Sequence, residues 1–320
     1  MRAVISRLAG VGFALFVTVA AVYAFAPRQR PEFPATVTRV QSLLMLDGDA
    51  AGSRLVTVGE RGAVFVSGDG GATWQPANAP SQSALTGVFF LDEKRGWAVG
   101  HDSLILRTED GGANWQQVYS APGEEKPLFD VWFGDSSRGY AVGAYGSFLR
   151  SADGGQNWET RKVIEDDKHL NALARGRDGT LFIAGEAGTL LRSTDGGEKW
   201  ETLAAPYRGS FFGVVGTADG GTVAFGMRGQ IFRSQDNGNT WVAIPSGSQA
   251  SLLGGRVLPD GTLVVVGQDG AVLISRDQGR TFALEKTGSS DTYSAMLTTA
   301  AGEWLLLGER GVTRHRPATQ

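Results

Sequence analysis

One eight-residue pattern recurs six times along this chain and leaves little choice of fold. VFVSGDGGATW (64–74), ILRTEDGGANW (105–115), FLRSADGGQNW (148–158), LLRSTDGGEKW (190–200), IFRSQDNGNTW (231–241) and VLISRDQGRTF (272–282) all contain Ser/Thr-x-Asp-x-Gly-x-x-Trp/Phe. The closing aromatics fall 41, 43, 42, 41 and 41 residues apart. A second mark, Gly-x-x-Gly or its variant GHDS, lies eight residues before each Ser/Thr. Its first glycines are Gly59, Gly100, Gly143, Gly185, Gly226, Gly267 and Gly308, seven marks against six aspartate motifs. A fixed period near 40 residues signals stacked copies of one supersecondary unit.

Within a period the apolar runs are short. In residues 85–119, Val88–Leu91, Trp97–Val99, Leu104–Arg107 and Asn114–Tyr119 read as four strands separated by glycine- and aspartate-rich turns, an antiparallel meander. Glycine, at 46 of 320 residues, supplies the many turns this demands. Seven four-stranded units make an all-β, seven-bladed propeller, each sheet packed face to face on its neighbours. Seven periods of 41 fill residues 34–320 and leave no room there for a second domain.

The recurring motif reads as structural. Ser67, Thr108, Ser151, Ser193, Ser234 and Ser275, with Asp69, Asp110, Asp153, Asp195, Asp236 and Asp277, have short polar side chains able to bond the backbone of a tight hairpin. Gly71, Gly112, Gly155, Gly197, Gly238 and Gly279 allow its turn. Trp74, Trp115, Trp158, Trp200, Trp241 and Phe282 cover the sheet, each burying ~200 Å². One carboxylate per hairpin is too few for a calcium loop. The absence of cysteine excludes disulfides, thiolate metal sites and cysteine nucleophiles, and three scattered histidines cannot make a histidine-rich metal site. A net charge of −3 argues against a nucleic-acid coat. No catalytic residue, metal or cofactor is expected.

Residues 1–26 form a targeting segment. Arg2 and Arg7 precede the uncharged run LAGVGFALFVTVAAVYAF (8–25), about 27 Å long as a helix, which suits either a signal peptide or an N-terminal membrane anchor. Both readings export the rest of the chain: a linker over 27–34, the propeller over 35–316 and a tail over 317–320. The seventh repeat lacks an aspartate hairpin and a fourth strand. Residues 35–40, with their β-branched content, are expected to supply that strand beside Val312–Arg316 and so close the ring.

The hairpin motif resembles the Asp-box, or bacterial neuraminidase repeat. The longer phrases at 87–115 and 130–158 resemble the photosystem II stability/assembly factor family. The resemblance covers residues 41–316 and implies a non-catalytic assembly factor. Relatives outside photosynthesis are associated with envelope transport systems of the resistance-nodulation-division type. The missing lipid-anchor cysteine and the shortened last repeat depart from the photosynthetic pattern. These departures count against a photosystem role; the targeting segment and the envelope relatives together imply a periplasmic factor, tethered to the inner membrane, for a membrane protein complex or transporter subunit. The alternative is a carbohydrate-active or carbohydrate-binding propeller, with a glycan as partner. The Phe/Tyr-Arg-Ile-Pro segment of sialidases is absent.

Among the inner strands Asp130 stands out, because its counterparts by spacing are Gly87, Ala172, Gly213, Gly254 and Ala295; one carboxylate is half of a glycosidase pair. His101 and His169 are the histidines a metal-dependent lyase would use. Arg107, Arg150, Arg192 and Arg233 precede four consecutive motifs and form an arc that either grips an acidic partner or pairs with turn acids such as Asp135 or Asp178. Tyr145, Tyr207, Arg208 and Phe211 complete the partner-binding candidates on the face bearing the Gly-x-x-Gly turns.

Overall fold

The computed structural model describes residues 2–25 and 39–317, in two units, each considered by itself. The first contains one α-helix, Arg2–Phe25, whose side chains from Gly12 to Tyr23 are exposed. The described residues contain no helix long and apolar enough to cross a membrane.

The second unit is a ring of seven antiparallel sheets, six four-stranded and one three-stranded. Blade three is representative: Leu128–Phe133 lies innermost, followed outward by Gly139–Gly143, Phe148–Ser151 and Glu159–Thr160. The second strands are buried along their whole length, as at Leu181–Gly185 and Leu263–Gly267, except for Arg54 at the start of blade one's, because both sheet faces meet a neighbouring blade. Seven apolar clusters result, one at each junction. Trp97 stacks on Phe133 between blades two and three, and Phe182 shares the cluster between four and five with Phe211 and Phe232, whose rings meet edge-on. Each fully buried large side chain contributes about 1.5–3 kcal/mol.

The Gly-x-x-Gly turns owe their first glycine to crowding. A Cβ on Gly100, Gly143 or Gly308 would sit 2.0–2.2 Å from the carbonyl oxygen of Ala84, Pro127 or Thr292, just before the inner strand of the same blade. That carbonyl accepts the next amide, as Ala144 N–H to Pro127 O at 2.9 Å, so the approach pins the turn to the inner strand. The second glycine has positive φ, 69° at Gly146.

Ring closure is made by packing. Val40, Leu43, Met45, Leu55 and Phe65 share a cluster with Ala295, Leu297, Leu305 and Leu307, joining blade one to blade seven. Of the strand expected at 35–40, residues 35–38 lie outside the described residues. Val40 opens a single 3-10 turn, Val40–Ser42, so the strand does not run to its expected end; its carbonyl crowds Gly311. Among the described residues blade seven consists of Tyr293–Thr298, Trp304–Gly308 and Gly311–His315.

Candidate functional site

The six hairpin motifs are turns locked by their own side chains. In blade three Ser151 Oγ donates to Asp153 Oδ1 (2.9 Å) and accepts from Gly155 N–H (2.8 Å). Asp153 Oδ1 accepts from Gln156 and Asn157 N–H (both 3.0 Å), and its Oδ2 from Asn157 Nδ2 (2.7 Å). Such donors hold the motif carboxyls below their usual range; Asp277, despite opposing desolvation, is lowered to about 2 by Thr281, Ser275 and Arg280. The closing indoles are less buried than expected: Trp115 is buried, but Trp74, Trp158, Trp200 and Trp241 are only partly so. Trp115, Trp158, Trp200 and Trp241 each donate Nε1–H to the carbonyl of the motif's fixed glycine, Gly112, Gly155, Gly197 or Gly238.

The arginine arc turns inward. Arg107 donates to Gly154 O (2.9 Å), Arg192 to Asn237 O, and Arg233 to Gln278 O (2.9 Å), in each case the carbonyl after the motif aspartate of the next blade. Arg150 pairs with Glu198 of the next blade's motif instead. Acidic partners are Glu109, Glu159, Glu201 and Asp219, not Asp135 or Asp178. These side chains are 9–17% exposed, so their charge is engaged between blades rather than offered outward. Arg314, at the matching register of blade seven, donates to Gly70 O of blade one (2.8 Å) and repeats the staple across the closure. The sequence reading missed it because no aspartate motif follows it.

The central channel, a cavity of about 730 Å³, is lined by the inner strands. Here one expectation is corrected: Asp130 is not alone. Asp47 of blade one occupies the same register, opposite Val58 as Asp130 is opposite Val142. Counting residues back from the glycine mark missed Asp47, because blade one turns with only Gly52 and Ser53 between Ala51 and Arg54 and is one residue shorter. Asp49 and Arg256 lie two residues further along the channel wall.

Each carboxylate ties two blades together. Asp47 Oδ2 accepts Val88 N–H (2.9 Å) and Asp49 Oδ2 accepts Phe90 N–H (2.8 Å), both from blade two. Asp130 accepts Val131 N–H through Oδ1 and Leu173 N–H of blade four through Oδ2, both at 2.7 Å. Arg256 of blade six reaches past blade seven to Asp49 Oδ1 (3.1 Å) and Gly48 O (2.8 Å). Asp47 and Asp130 are partly open to the lumen yet enclosed by the ring. Desolvation raises Asp47 to about 7, aided by the Asp130 charge, and Asp130 to about 6, aided by Asp49, against the lowering effect of their backbone donors.

At the end of the channel nearest the Gly-x-x-Gly turns, one residue outward from Asp47 and Asp130, the wall carries Leu46, Phe129, Phe212 and Leu253, all partly exposed. Tyr145 stands beside it, 53% exposed and at φ 54°. Its ring meets His169 edge-on at 5.0 Å, and His169 meets Phe129 at 5.9 Å. His169 Nδ1 accepts the backbone N–H of Tyr145 (3.1 Å), and the backbone N–H of His169 donates to Glu186 Oε2 (3.2 Å), which ties the row to the blade-four turn. Arg208 is exposed and Tyr207 half-buried on this face. Phe211 is a correction: it is fully buried between blades and cannot meet a partner. His101 sits in the turn of blade two. Among the described residues no group of three or more histidines or carboxylates is placed to hold a metal ion.

The model of the family described as "Photosynthesis system II assembly factor YCF48" matches residues 43–125 and 120–264. The Arabidopsis thaliana photosystem II stability/assembly factor HCF136, chloroplastic, is 32% identical over 72 residues, which is 21% of this chain and only 18% of that relative. The chain therefore matches less than a fifth of that curated protein's length. Among solved structures, YCF48 bound to D1 peptide superposes with a TM-score of 0.71 at 22% identity, covering 89% of this chain and 96% of that one. YCF48 from Cyanidioschyzon merolae gives 0.67 at 19%, covering 87% and 96%. Virginiamycin B lyase from Staphylococcus aureus gives 0.73 at 11%, covering 86% and 94%, a likeness of fold alone. The family model spans well over half of the chain, and the ring of Asp-box blades accounts for the match: this chain belongs to the photosystem II assembly factor YCF48 family.

Proposed function

We propose that the protein is an exported, non-enzymatic assembly or accessory factor. In this reading it is held at the inner membrane by its N-terminal segment and grips an extended polypeptide segment of a membrane protein complex. A transporter of the resistance-nodulation-division type is the complex expected. The observation that carries the proposal is the family match across the first five blades and into the sixth, joined to a solved relative named as bound to a peptide of another protein.

The channel chemistry supports a non-catalytic reading. A glycosidase carboxylic acid must present its proton to a leaving group. Both oxygens of Asp130 instead accept backbone amides, and the guanidinium of Arg256 is held by Asp49 and Gly48. Asp47 has one oxygen similarly committed to Val88.

Affinity purification of tagged, cross-linked protein from native membranes tests the reading. Recovery of a stoichiometric membrane complex subunit is expected. Turnover of a glycoside that is abolished by Asp130→Asn would overturn it. Alkaline phosphatase fused after Arg30 should be active outside the cytoplasm, and the mass of the mature N-terminus then separates anchor from cleaved signal.

A further inference from the structure

We infer that the mouth of the channel receives a Lys or Arg side chain projecting from an extended, otherwise apolar segment of the partner polypeptide. The inference rests on the polypeptide-binding reading above and names the chemistry of the segment.

Charge balance is the first argument. Three carboxylates, Asp47, Asp49 and Asp130, line the channel with one cation, Arg256, which is taken by Asp49 and Gly48. Among the described residues Asp47 and Asp130 form no ion pair. A carboxylate enclosed without a counter-ion is costly, and a cation that enters from outside offsets that cost.

Access is the second. The tier immediately above the two carboxylates carries Leu46, Phe129, Phe212 and Leu253, with Thr86, Asn171 and Ser294 in the remaining three blades. A long aliphatic stem packs against such a wall while its charged end goes deeper. Tyr145, His169 and Phe129 continue the apolar track outward over blades three and four, and aromatic faces also attract cations. Exposed turn arginines, Arg61, Arg228 and Arg310, occur in blades one, five and seven, whereas the equivalent positions of blades three and four carry Tyr145 and Ala187. At that turn position blades two and six carry Asp102 and Asp269, so an approaching cationic segment meets no turn arginine over blades two, three and four.

Alternative occupants fit less well. An acidic segment would add to a lumen that already holds three carboxylates against one arginine, and the arginines that could have answered it are engaged with carbonyls or a glutamate of the next blade. A bare metal ion lacks a set of three ligands among the described residues.

Selection of a random dodecapeptide display library on the full-length protein in detergent tests this directly. The expected consensus has one fixed Lys or Arg flanked by apolar residues. By fluorescence anisotropy the selected peptide should bind at least tenfold tighter than its Lys→Glu and Lys→Leu counterparts. The Asp47→Asn/Asp130→Asn protein should lose at least tenfold affinity while still unfolding in one cooperative transition above the assay temperature, and Tyr145→Ala should lose about threefold. A consensus without a cation, an acidic consensus, no consensus, or affinity indifferent to the Asn pair would each overturn the inference. The first, second and fourth of these leave the polypeptide-binding reading standing, and that reading falls separately if membrane purification recovers no partner.

Discussion

The motif turns and the channel use the same side chain to opposite ends. At the turns, each aspartate is surrounded by local donors within four residues and stays ionised far into acid. In the channel, enclosure by the ring, with the charge of Asp130 acting on Asp47 and that of Asp49 on Asp130, holds the protons of Asp47 and Asp130 up to near neutrality. Local donors stabilise a charge that solvent already tolerates. Enclosure penalises a charge unless a counter-ion arrives. The turns are therefore structural fixtures, while the channel carboxylates have a property still available for binding.

The largest expected effect comes from breaking a turn. Asp153→Ala removes the acceptor of three amide donors and one hydroxyl, at about 2 kcal/mol after allowance for exposure. Scanning calorimetry should show a melting temperature lower by roughly 4–8 °C. Asp130→Asn removes the charge but leaves a single oxygen for two backbone donors, so at pH 7.5 the relief of the enclosed charge offsets part of the lost bond and its melting temperature should fall by less than that of Asp153→Ala. A larger fall than for Asp153→Ala would erase the distinction between the two regions.

Removing the channel's cation ranks next. Arg256→Met leaves Asp49 with a single backbone donor, and we expect a loss of about 1–2 kcal/mol at pH 7.5. The loss should shrink at pH 5, where Asp47 and Asp130 are mostly protonated. A deficit unaffected by pH would show that Arg256 acts by packing alone.

Acidity separates the regions a third way. The depressed motif carboxyls contribute stability that is present above about pH 4 and is lost as pH falls towards 2. Asp47 and Asp130, raised in the folded state, contribute stability that is complete below about pH 4 and is lost as pH rises through about 6 and 7. Melting curves from pH 3 to 8 should therefore decline on both sides of a maximum near pH 4–5. The Asp47→Asn/Asp130→Asn protein should lose the decline between pH 5 and 8 and keep the acid one.

The smallest effect tests the arginine staples. Arg314→Met and Arg107→Met each remove one charge-assisted bond to a neighbouring carbonyl, about 1 kcal/mol. Similar shifts would show that the closing junction of the ring is built like the others; a much larger shift for Arg314 would show that closure depends on it.

The sequence by itself determined the repeat, the blade count, the strand order and the hairpin chemistry. All of these are local: a serine, an aspartate and a glycine within five residues complete one another's bonds whatever lies elsewhere. Tertiary structure decided what faces what. Arg107 and Arg233 read as an outward arc in sequence, yet each turns to a carbonyl 45–47 residues away, and Phe211 moves from rim candidate to core. Asp47 escaped notice because a hairpin one residue shorter shifts its count, and only the strand pairing places it beside Asp130. The channel's charge is a sum over seven inner strands brought around a common axis. No single period contains that sum, so it exists only once the ring has closed.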